Sequence, residues 1–351
     1  MRSNSRRYDQ PVPQDELPHD PLPDADATRS FPAEVPVDVG LTLRPLQRGA
    51  ADPCVRVTGR RAWLTRRTRS GAAALLVEGP ASPFLPGSVR ARAWGPGAQE
   101  AVEQVPAPLG PGGQGWSAFD ELLAEHRRRL PASVLEARRR HPGLRLPAAG
   151  ALSVGLLTVV LEQKVTHDQA RHGWRSLVRE AARGSSGGGT PPGPVPAGML
   201  LPPRPEQVAL IPSWRWHTGW VQPAQSRTLV QTARRSASIE RVAAACPPWD
   251  PSAAEGLNRR LCSLPGIGPW STAEALQRSH GAADLVSVGD YHLAHFVGQV
   301  LTGRRVDDAG MLELLAPFAG HRQRLVRLLG LTGERRRSFG PRLAPADHRR
   351  R

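Results

Sequence analysis

The residues best suited to chemistry begin with a tight glycine-rich turn, Leu264–Gly268, between two segments of helical periodicity. Gly266 and Gly268 permit backbone angles and close approaches that other residues resist. Pro269 suits the first turn of an outgoing helix, where its missing N–H costs no hydrogen bond. The free N–H groups of such a turn and helix start form a site for an anion such as a phosphate. We therefore predict two helices joined by a phosphate-binding hairpin with Ile267 as an apolar plug, although an ordinary helix–helix turn is the plainer alternative.

A second candidate is Asp290, which ends the loop Val286–Gly289 immediately before an amphipathic segment. Aspartate is a favoured N-cap of helices, so a purely structural role is the simplest interpretation of Asp290. Its position adds a second one, because Asp290 lies 20 residues after Trp270 of the hairpin. A carboxylate fixed there could also stabilise a developing positive charge. The two roles are compatible.

The hairpin and Asp290 together resemble the helix–hairpin–helix DNA glycosylases. The similarity is greatest to the alkylated-base branch, the 3-methyladenine DNA glycosylase II type. In that branch a run Pro-Gly-Ile-Gly-x-Trp-(Ser/Thr)-Ala precedes an Asp-Tyr pair. Here Pro265–Thr272 precedes Asp290 and Tyr291 in the same way.

Three further segments extend the resemblance over residues 41–330. Leu161–Thr166 is similar to the family's first core helix, where a Gln-x-Val-(Ser/Thr) run ends at the DNA. Pro317–Arg322 is similar to the start of its last helix. Ala93–Ala98 is similar to the small α/β domain that precedes the core. The implied fold class is α+β, with a small β-rich N-terminal domain followed by an all-helical helix–hairpin–helix glycosylase core.

The resemblance implies a monofunctional DNA glycosylase that removes alkylated, 3-methyladenine-like bases from duplex DNA in base excision repair. The damaged base must leave the stack before its glycosidic bond can be reached. Asp290 is then the catalytic residue, since it would stabilise the oxocarbenium-like sugar and orient the attacking water. Bifunctional relatives carry a lysine in the hairpin for Schiff-base chemistry, whereas Trp270 stands at that position here.

The resemblance also assigns residues to binding. The expected base pocket contains Trp270, Glu274, Trp216 and Tyr291; Glu274 stands where relatives can carry an aromatic residue, which leaves the substrate range open. The expected DNA contacts are Gly266, Ile267 and Gly268 of the hairpin, Gln163 and Thr166 at the end of their helix, and Arg322 and Arg324 on the last helix.

The resemblance implies a possible Na⁺ or K⁺ ion at the hairpin when DNA is bound. Its ligands would be the backbone carbonyls of Cys262, Leu264 and Ile267. No other cofactor is expected. The chain has three cysteines, one fewer than the four thiolates of an iron–sulfur cluster.

Composition divides the chain into four parts. Residues 1–40, rich in Pro, Asp and Arg, are predicted to be a disordered arm, and 332–351 a disordered arginine-rich tail. Residues 41–115 are predicted to be a small α/β domain. Residues 116–331 are predicted to be the helical core, with the hairpin at 264–270 and a flexible insertion or linker at 184–205, which is rich in glycine and proline.

Hydrophobic periodicity predicts the elements themselves. Strands are expected at Cys54–Thr58, Ala62–Thr65, Ala74–Glu78 and Val89–Trp94, and a helix after Ala98. One long helix is expected over 152–182. Further helices are expected at Glu206–Leu210, Ala224–Ala233, Ile239–Ala245, Ala253–Ser263, Ser271–Ser279, Tyr291–Leu301, Met311–Leu315 and Arg322–Gly330.

Charge and hydropathy limit the kinds of molecule that the protein is expected to bind. The 351 residues carry 47 Lys and Arg against 31 Asp and Glu, a net charge of +16, which favours a polyanionic partner. No window approaches about 18 uninterrupted apolar residues, so a membrane span is not expected. The first residues lack the apolar stretch of a signal peptide. We expect a monomer in the cytoplasm, associated with the nucleoid, that binds double-stranded DNA and no membrane.

Three alternatives stay open at this point. The first is a non-catalytic helix–hairpin–helix protein that only binds DNA. The second is a glycosylase for deaminated or oxidised purines. The third is a basic protein that binds RNA or a membrane surface, which the hairpin disfavours because its turn suits a duplex phosphate better.

Overall fold

The computed structural model describes residues 22–110, 115–183 and 189–334. It combines one antiparallel sheet with many helices, so the predicted α+β class is confirmed. The strands are β1 Ala27–Ala33, β2 Val55–Thr58, β3 Arg61–Arg67, β4 Ala72–Glu78 and β5 Gly87–Trp94. Their order in the sheet is β1-β5-β4-β3-β2.

Helices follow and flank the sheet. Those of the sheet region are α1 Val39–Leu43, α2 Ala98–Glu103 and α3 Pro106–Leu109. The remaining α-helices of the described residues are α4 Trp116–Glu125, α5 Ala132–Arg140, α6 Leu152–Glu162, α7 His167–Arg183, α8 Pro205–Ala209, α9 Ser213–Thr218, α10 Pro223–Arg234, α11 Ser236–Ala244, α12 Pro251–Leu261, α13 Pro269–Ser279, α14 Leu293–Thr302, α15 Asp308–Leu315 and α16 Arg322–Leu329. None of the described helices is long and apolar enough to cross a membrane.

The strand β1 corrects the predicted disordered arm at 1–40. It pairs with β5 along its whole length, from Ala27 opposite Ala93 to Ala33 opposite Gly87. Most β1 side chains are exposed or half-buried. The segment therefore shows little apolar alternation, and its order comes from backbone pairing to a strand that lies far along the chain. Residues 1–21 lie outside the described part.

The sheet is buried on both faces. One face packs under α1, α2 and α3 around an apolar cluster that includes Leu64, Leu75 and Val89. The other face carries Trp63 and Trp94, whose rings stack with centroids 5.5 Å apart. Because both faces are covered, the sequence of β4 is continuously apolar over Ala73–Val77 and does not alternate between apolar and polar residues.

The glycine- and proline-rich segment covers that second face, which corrects the predicted flexible insertion at 184–205. Within its described part, 189–205, Met199 is buried against the two tryptophans. The Leu200 amide donates to the Pro53 carbonyl at 2.7 Å, and the Thr65 hydroxyl donates to the Leu200 carbonyl at 2.6 Å. Proline leaves few backbone N–H groups to satisfy, so an irregular segment can pack as a strap. Residues 184–188 lie outside the described part.

Two apolar clusters fill the helical part. One joins α6, α7, α10, α12 and α13, and the other joins α4, α5, α14, α15 and α16. The predicted helix over 152–182 is wrong as a single element, because α6 ends at Glu162 and α7 starts at His167. Lys164 lies between them with φ of +54°, which reverses the chain. The helix α5 at 132–140 was not predicted. The tail beyond 334 lies outside the described part.

Candidate functional site

The hairpin predicted from sequence joins α12 to α13. Gly266 has φ of +80°, and a Cβ atom at that position would overlap the Thr228 hydroxyl of α10. Gly268 has an extended backbone, and a Cβ atom there would meet open space. Ile267 is 4% exposed and packs into the core between the helices, as a plug should. The turn therefore needs Gly266 for its shape and leaves Gly268 on an accessible surface.

A small polar cluster locks the two helices of the hairpin together. The Thr272 hydroxyl of α13 donates to the Asn258 side-chain oxygen of α12 and lies 3.6 Å from the Cys262 sulfur. The same hydroxyl is 3.0 Å from the Pro269 carbonyl. The outgoing helix is thus held from its first turn, which fixes the direction in which its N–H groups point.

The carbonyls predicted to hold a monovalent cation run from the C-terminal end of α12 into the turn that follows it. Cys262 is the C-cap of α12, where carbonyl oxygens lack intrahelical donors and the helix end favours a cation. The Leu264 carbonyl accepts from the Ile267 amide at 3.0 Å, which leaves its second lone pair for a ligand. Neutral oxygen donors of this kind suit Na⁺ or K⁺, so the residues fit the ion. Its presence stays a prediction.

Asp290 is held by three donors. Its Oδ1 accepts from the backbone amides of His292 and Leu293, both at 2.9 Å. Its Oδ2 accepts from the Trp270 indole Nε1–H at 3.2 Å. These two amide contacts close a turn immediately before α14, whose N-cap is His292, so Asp290 lies two residues ahead of the capping position predicted for it. The indole ties the carboxylate to the hairpin. Donors to both oxygens fix the orientation of the carboxylate.

The Glu274 carboxylate is engaged by partners within the protein, a feature that the predicted base-pocket role did not include. One carboxylate oxygen accepts from the Ser287 hydroxyl, and the other pairs with the Arg278 guanidinium at 2.6 Å. Burial opposes ionisation of Glu274, but Arg278 and the Ser287 hydroxyl overcome it, and the pKa of Glu274 is lowered. The side chain is committed to partners inside the protein because α13 packs against the loop that carries Ser287.

Trp216, another residue predicted for the base pocket, is buried. Its ring is 6% exposed and belongs to the apolar cluster around α6, α7 and α10. It is a core residue, since its short helix α9 packs against α10. Tyr291, by contrast, is 81% exposed and makes an edge contact with the His292 ring, with centroids 4.7 Å apart. Of the four predicted pocket residues, two lie next to Asp290: Trp270 contacts its carboxylate, and Tyr291 is the next residue in the chain.

The turn between α6 and α7 contacts the hairpin. The Gln163 side-chain amide donates to the Gly266 carbonyl at 2.9 Å and to the Ser271 hydroxyl at 2.8 Å. Thr166 caps α7 through reciprocal hydrogen bonds with Gln169. Gln163 thus joins this turn to the hairpin, while DNA contacts by Gln163 and Thr166 stay predictions.

The two arginines of the last helix differ from each other. Arg322 makes a bidentate pair with Asp284, with its Nε at 2.8 Å and Nη2 at 2.5 Å from the two carboxylate oxygens. Its role as a phosphate contact stays a prediction. Arg324 is 3% exposed, lies over the Trp116 ring, and burial lowers its pKa to about 10. The predicted DNA contact by Arg324 is wrong, because its side chain points into the core.

Sequence reasoning missed Ser287, Gln277 and Asn258. The Gln277 side-chain amide donates to the Ser287 hydroxyl at 3.0 Å and to the Leu285 carbonyl at 2.9 Å. The available signal was the spacing of Trp270, Glu274 and Gln277, which lie four and then three residues apart and so share one helix face. Nothing in the sequence said which loop that face would meet.

Searches of family models and of curated protein sequences find no match to this chain. Solved structures do match. The 3-methyladenine DNA glycosylase of Archaeoglobus fulgidus superposes with a TM-score of 0.64 at 14% identity, covering 87% of this chain and 98% of that one. The 8-oxoguanine glycosylase/lyase of Clostridium acetobutylicum, in complex with DNA, superposes with a TM-score of 0.56 at 10% identity, covering 87% of this chain and 97% of that one. MBOgg1 in complex with a low-affinity DNA ligand superposes with a TM-score of 0.53 at 12% identity, covering 80% of this chain and 97% of that one.

The fold is therefore that of the helix–hairpin–helix DNA glycosylases. The resemblance inferred from the sequence is confirmed at this level. The named neighbours include enzymes of both the alkylated-base and the oxidised-base kind. The fold alone thus does not select a substrate, and the choice must come from the residues of the site.

Proposed function

We propose that this protein is a monofunctional DNA glycosylase that excises alkylated, 3-methyladenine-like bases from double-stranded DNA in base excision repair. The observation that carries the proposal is the Asp290 carboxylate, tied to Trp270 of the hairpin at 3.2 Å in a chain with the glycosylase fold. The reaction is hydrolysis of the N-glycosidic bond. We further propose that the protein acts as a monomer in the cytoplasm, associated with the nucleoid.

DNA binding is assigned to the hairpin. The N–H groups around Gly268 and at the start of α13 would receive a phosphate, and the open space beside Gly268 admits a DNA backbone. A Na⁺ or K⁺ ion on the carbonyls of Cys262, Leu264 and Ile267 would supply a positive charge to the same phosphate. The net charge of +16 attracts the duplex without choosing a site on it.

Excision begins with extrusion of the damaged base from the stack. An N-alkylated purine carries a positive charge and leaves readily, so the enzyme mainly stabilises the sugar cation that remains. Asp290 provides a fixed negative charge for this cation and can orient the attacking water. Trp270 lies beside the carboxylate, where its ring could stack on a cationic base.

The distribution of lysine supports hydrolysis without strand cleavage. Lys164 is the only lysine of the chain and lies in the turn between α6 and α7, whereas the hairpin position used for Schiff-base chemistry carries Trp270. We therefore expect no covalent intermediate. Borohydride trapping on a duplex with an abasic site tests this, and a trapped complex would contradict monofunctional chemistry.

The decisive experiment compares the wild type with Asp290→Asn on duplexes that contain alkylated, deaminated or oxidised bases, scoring abasic sites. We expect release of alkylated bases by the wild type and a loss of about 10²-fold or more in the variant. Asp307→Asn is the matched control, since Asp307 likewise precedes a helix and accepts a backbone amide, that of Gly310 at 2.9 Å, but it is the N-cap of α15. Its activity should stay within twofold.

The substrate panel separates the alternatives. Release of oxidised or deaminated purines in preference to alkylated ones would replace the alkylated-base assignment with the second glycosylase class. Binding of duplex DNA with no release of any base would favour a non-catalytic DNA-binding protein. Equal activity in Asp290→Asn would remove Asp290 from the mechanism.

A further inference from the structure

One face of α13 runs along the loop that ends in Asp290. We propose that Glu274 and Ser287 form a positioning pair, which holds this loop so that the Asp290 carboxylate faces the reacting sugar. The inference rests on the proposed glycosylase function. It gives Glu274 a role in geometry in place of its predicted role in the base pocket.

The pair has a defined hydrogen-bond direction. The Ser287 hydroxyl has one proton, which it donates to a Glu274 carboxylate oxygen. The same hydroxyl oxygen accepts from the Gln277 side-chain amide at 3.0 Å. Donation therefore runs from Gln277 through Ser287 to Glu274, and the hydroxyl cannot rotate without breaking one of these bonds.

Ser287 passes this order to Asp290 through the backbone. Its carbonyl accepts from the Asp290 amide at 3.2 Å, which closes a short turn. Gly289 within the turn has φ of +86°, and its amide donates to the Asp308 carboxylate at 3.0 Å. With Trp270 on Oδ2 of Asp290, both the backbone and the side chain of Asp290 are fixed from α13.

Arg278 secures the other side of Glu274. Its Nη1 donates to a Glu274 carboxylate oxygen and to the Glu274 carbonyl, both at 2.6 Å. Its Nε donates to the Pro45 carbonyl at 3.0 Å, in the segment that precedes β2. A charge-assisted hydrogen bond to an ionised acceptor is stronger than a neutral one, so the charged Glu274 holds Ser287 better than a neutral residue could.

The first test measures single-turnover base excision by Ser287→Ala and Glu274→Ala, together with their affinity for lesion DNA. We expect the excision rate to fall about 10- to 100-fold, since a displaced reactive group can cost about 10²-fold, while affinity stays within twofold. Glu274→Gln restores an acceptor for the Ser287 hydroxyl and should recover part of the rate. A purely structural role would change affinity, rate and thermal stability together.

Ser279→Ala is the matched control. Ser279 lies on α13, the helix that carries Glu274. Its side chain is as buried as that of Ser287, with exposed fractions of 4% and 2%. Its hydroxyl bonds the Ala275 carbonyl and contacts the His280 ring. Its excision rate should remain within twofold of the wild type. An equal loss in Ser279→Ala, or a wild-type rate in Ser287→Ala, would overturn the proposal.

The second test does not depend on activity. Amide hydrogen exchange in peptides over residues 285–293 should accelerate in Ser287→Ala and not in Ser279→Ala. If the wild type releases no base, the proposed function fails while this measurement still tests the pair. Unchanged exchange in Ser287→Ala would overturn the pair even if base excision is confirmed. If Glu274→Ala does not fold, the excision rate and the hydrogen exchange are both measured on Ser287→Ala and Glu274→Gln.

Discussion

Asp290 serves two purposes with separate oxygen atoms. Oδ1 accepts the amides that open α14, and Oδ2 accepts the Trp270 indole. A capping aspartate needs only the first set of contacts. The indole contact is the additional feature, because it joins the carboxylate to the hairpin that is proposed to hold the DNA.

The first prediction concerns that indole. Trp270→Phe keeps an aromatic ring but removes the N–H donor to Asp290. Hydrogen bonds to charged groups contribute about 1.5–3 kcal/mol, so we expect the single-turnover rate to fall at least about tenfold. Affinity for lesion DNA should change less than threefold, since the ring remains.

Trp270→Ala separates the two contributions of this residue. It removes the ring as well as the donor, so it should weaken lesion binding beyond the phenylalanine variant. Equal rates for Trp270→Phe and the wild type would show that the indole N–H does not support Asp290.

At the scale of elements, the hairpin divides its tasks between two glycines. Gly266 faces α10 and has a left-handed backbone, whereas Gly268 faces open space with an extended one. The Gln163 amide, which donates to the Gly266 carbonyl, braces the turn from the α6–α7 connection. One glycine thus makes the turn possible and the other leaves its surface accessible.

The second prediction separates these tasks. Gly266→Ala should lower thermal stability by several degrees, because it adds both backbone strain and overlap with Thr228. Gly268→Ala should leave the free energy of unfolding within about 0.5 kcal/mol and weaken duplex binding, since its methyl group enters the proposed phosphate site.

Thermal melts and binding to undamaged duplex at several salt concentrations measure the two effects. Gly268→Ala should bind more weakly than the wild type at every salt concentration. Unchanged binding by Gly268→Ala would remove this face of the hairpin from the DNA interface.

At the scale of the whole molecule, buried polar contacts join the sheet region to the helices that form the site. Arg48 pairs with Glu162 of α6 at 2.8 Å and donates to Thr158 at 3.0 Å. Glu162 directly precedes Gln163, which braces the hairpin. The segment between α1 and β2 therefore fixes the end of α6.

The third prediction tests this link. Arg48→Met leaves Glu162 in a largely buried place without its partner, and should lower the free energy of unfolding by about 3 kcal/mol. The double variant Arg48→Met with Glu162→Met should recover much of this loss, because no charge is then left unpaired.

Denaturant unfolding of the wild type, both single variants and the double variant gives the coupling energy between the two side chains. Additive effects would show that Arg48 and Glu162 act independently, contrary to the contact.

Local chemistry alone carried the prediction of the hairpin, the following helix and the place of Asp290. Glycine conformations, the N1 proline and an aspartate before an apolar helix depend on neighbouring residues only. The same holds for β2 to β5, whose apolar runs predicted strands close to those observed. The α+β class follows from these elements.

Tertiary structure decided what each side chain faces. Glu274, Trp216 and Arg324 carry suitable chemistry for a DNA-binding site, yet their helices turn them toward Ser287, the core and Trp116. The strand β1 and the proline-rich strap became ordered only through partners far along the chain. The sequence by itself thus determined the hairpin, the strands β2 to β5 and which residues could react, because those depend on short-range sterics. Packing between distant segments determined which of them meet, because burial and pairing depend on the whole fold.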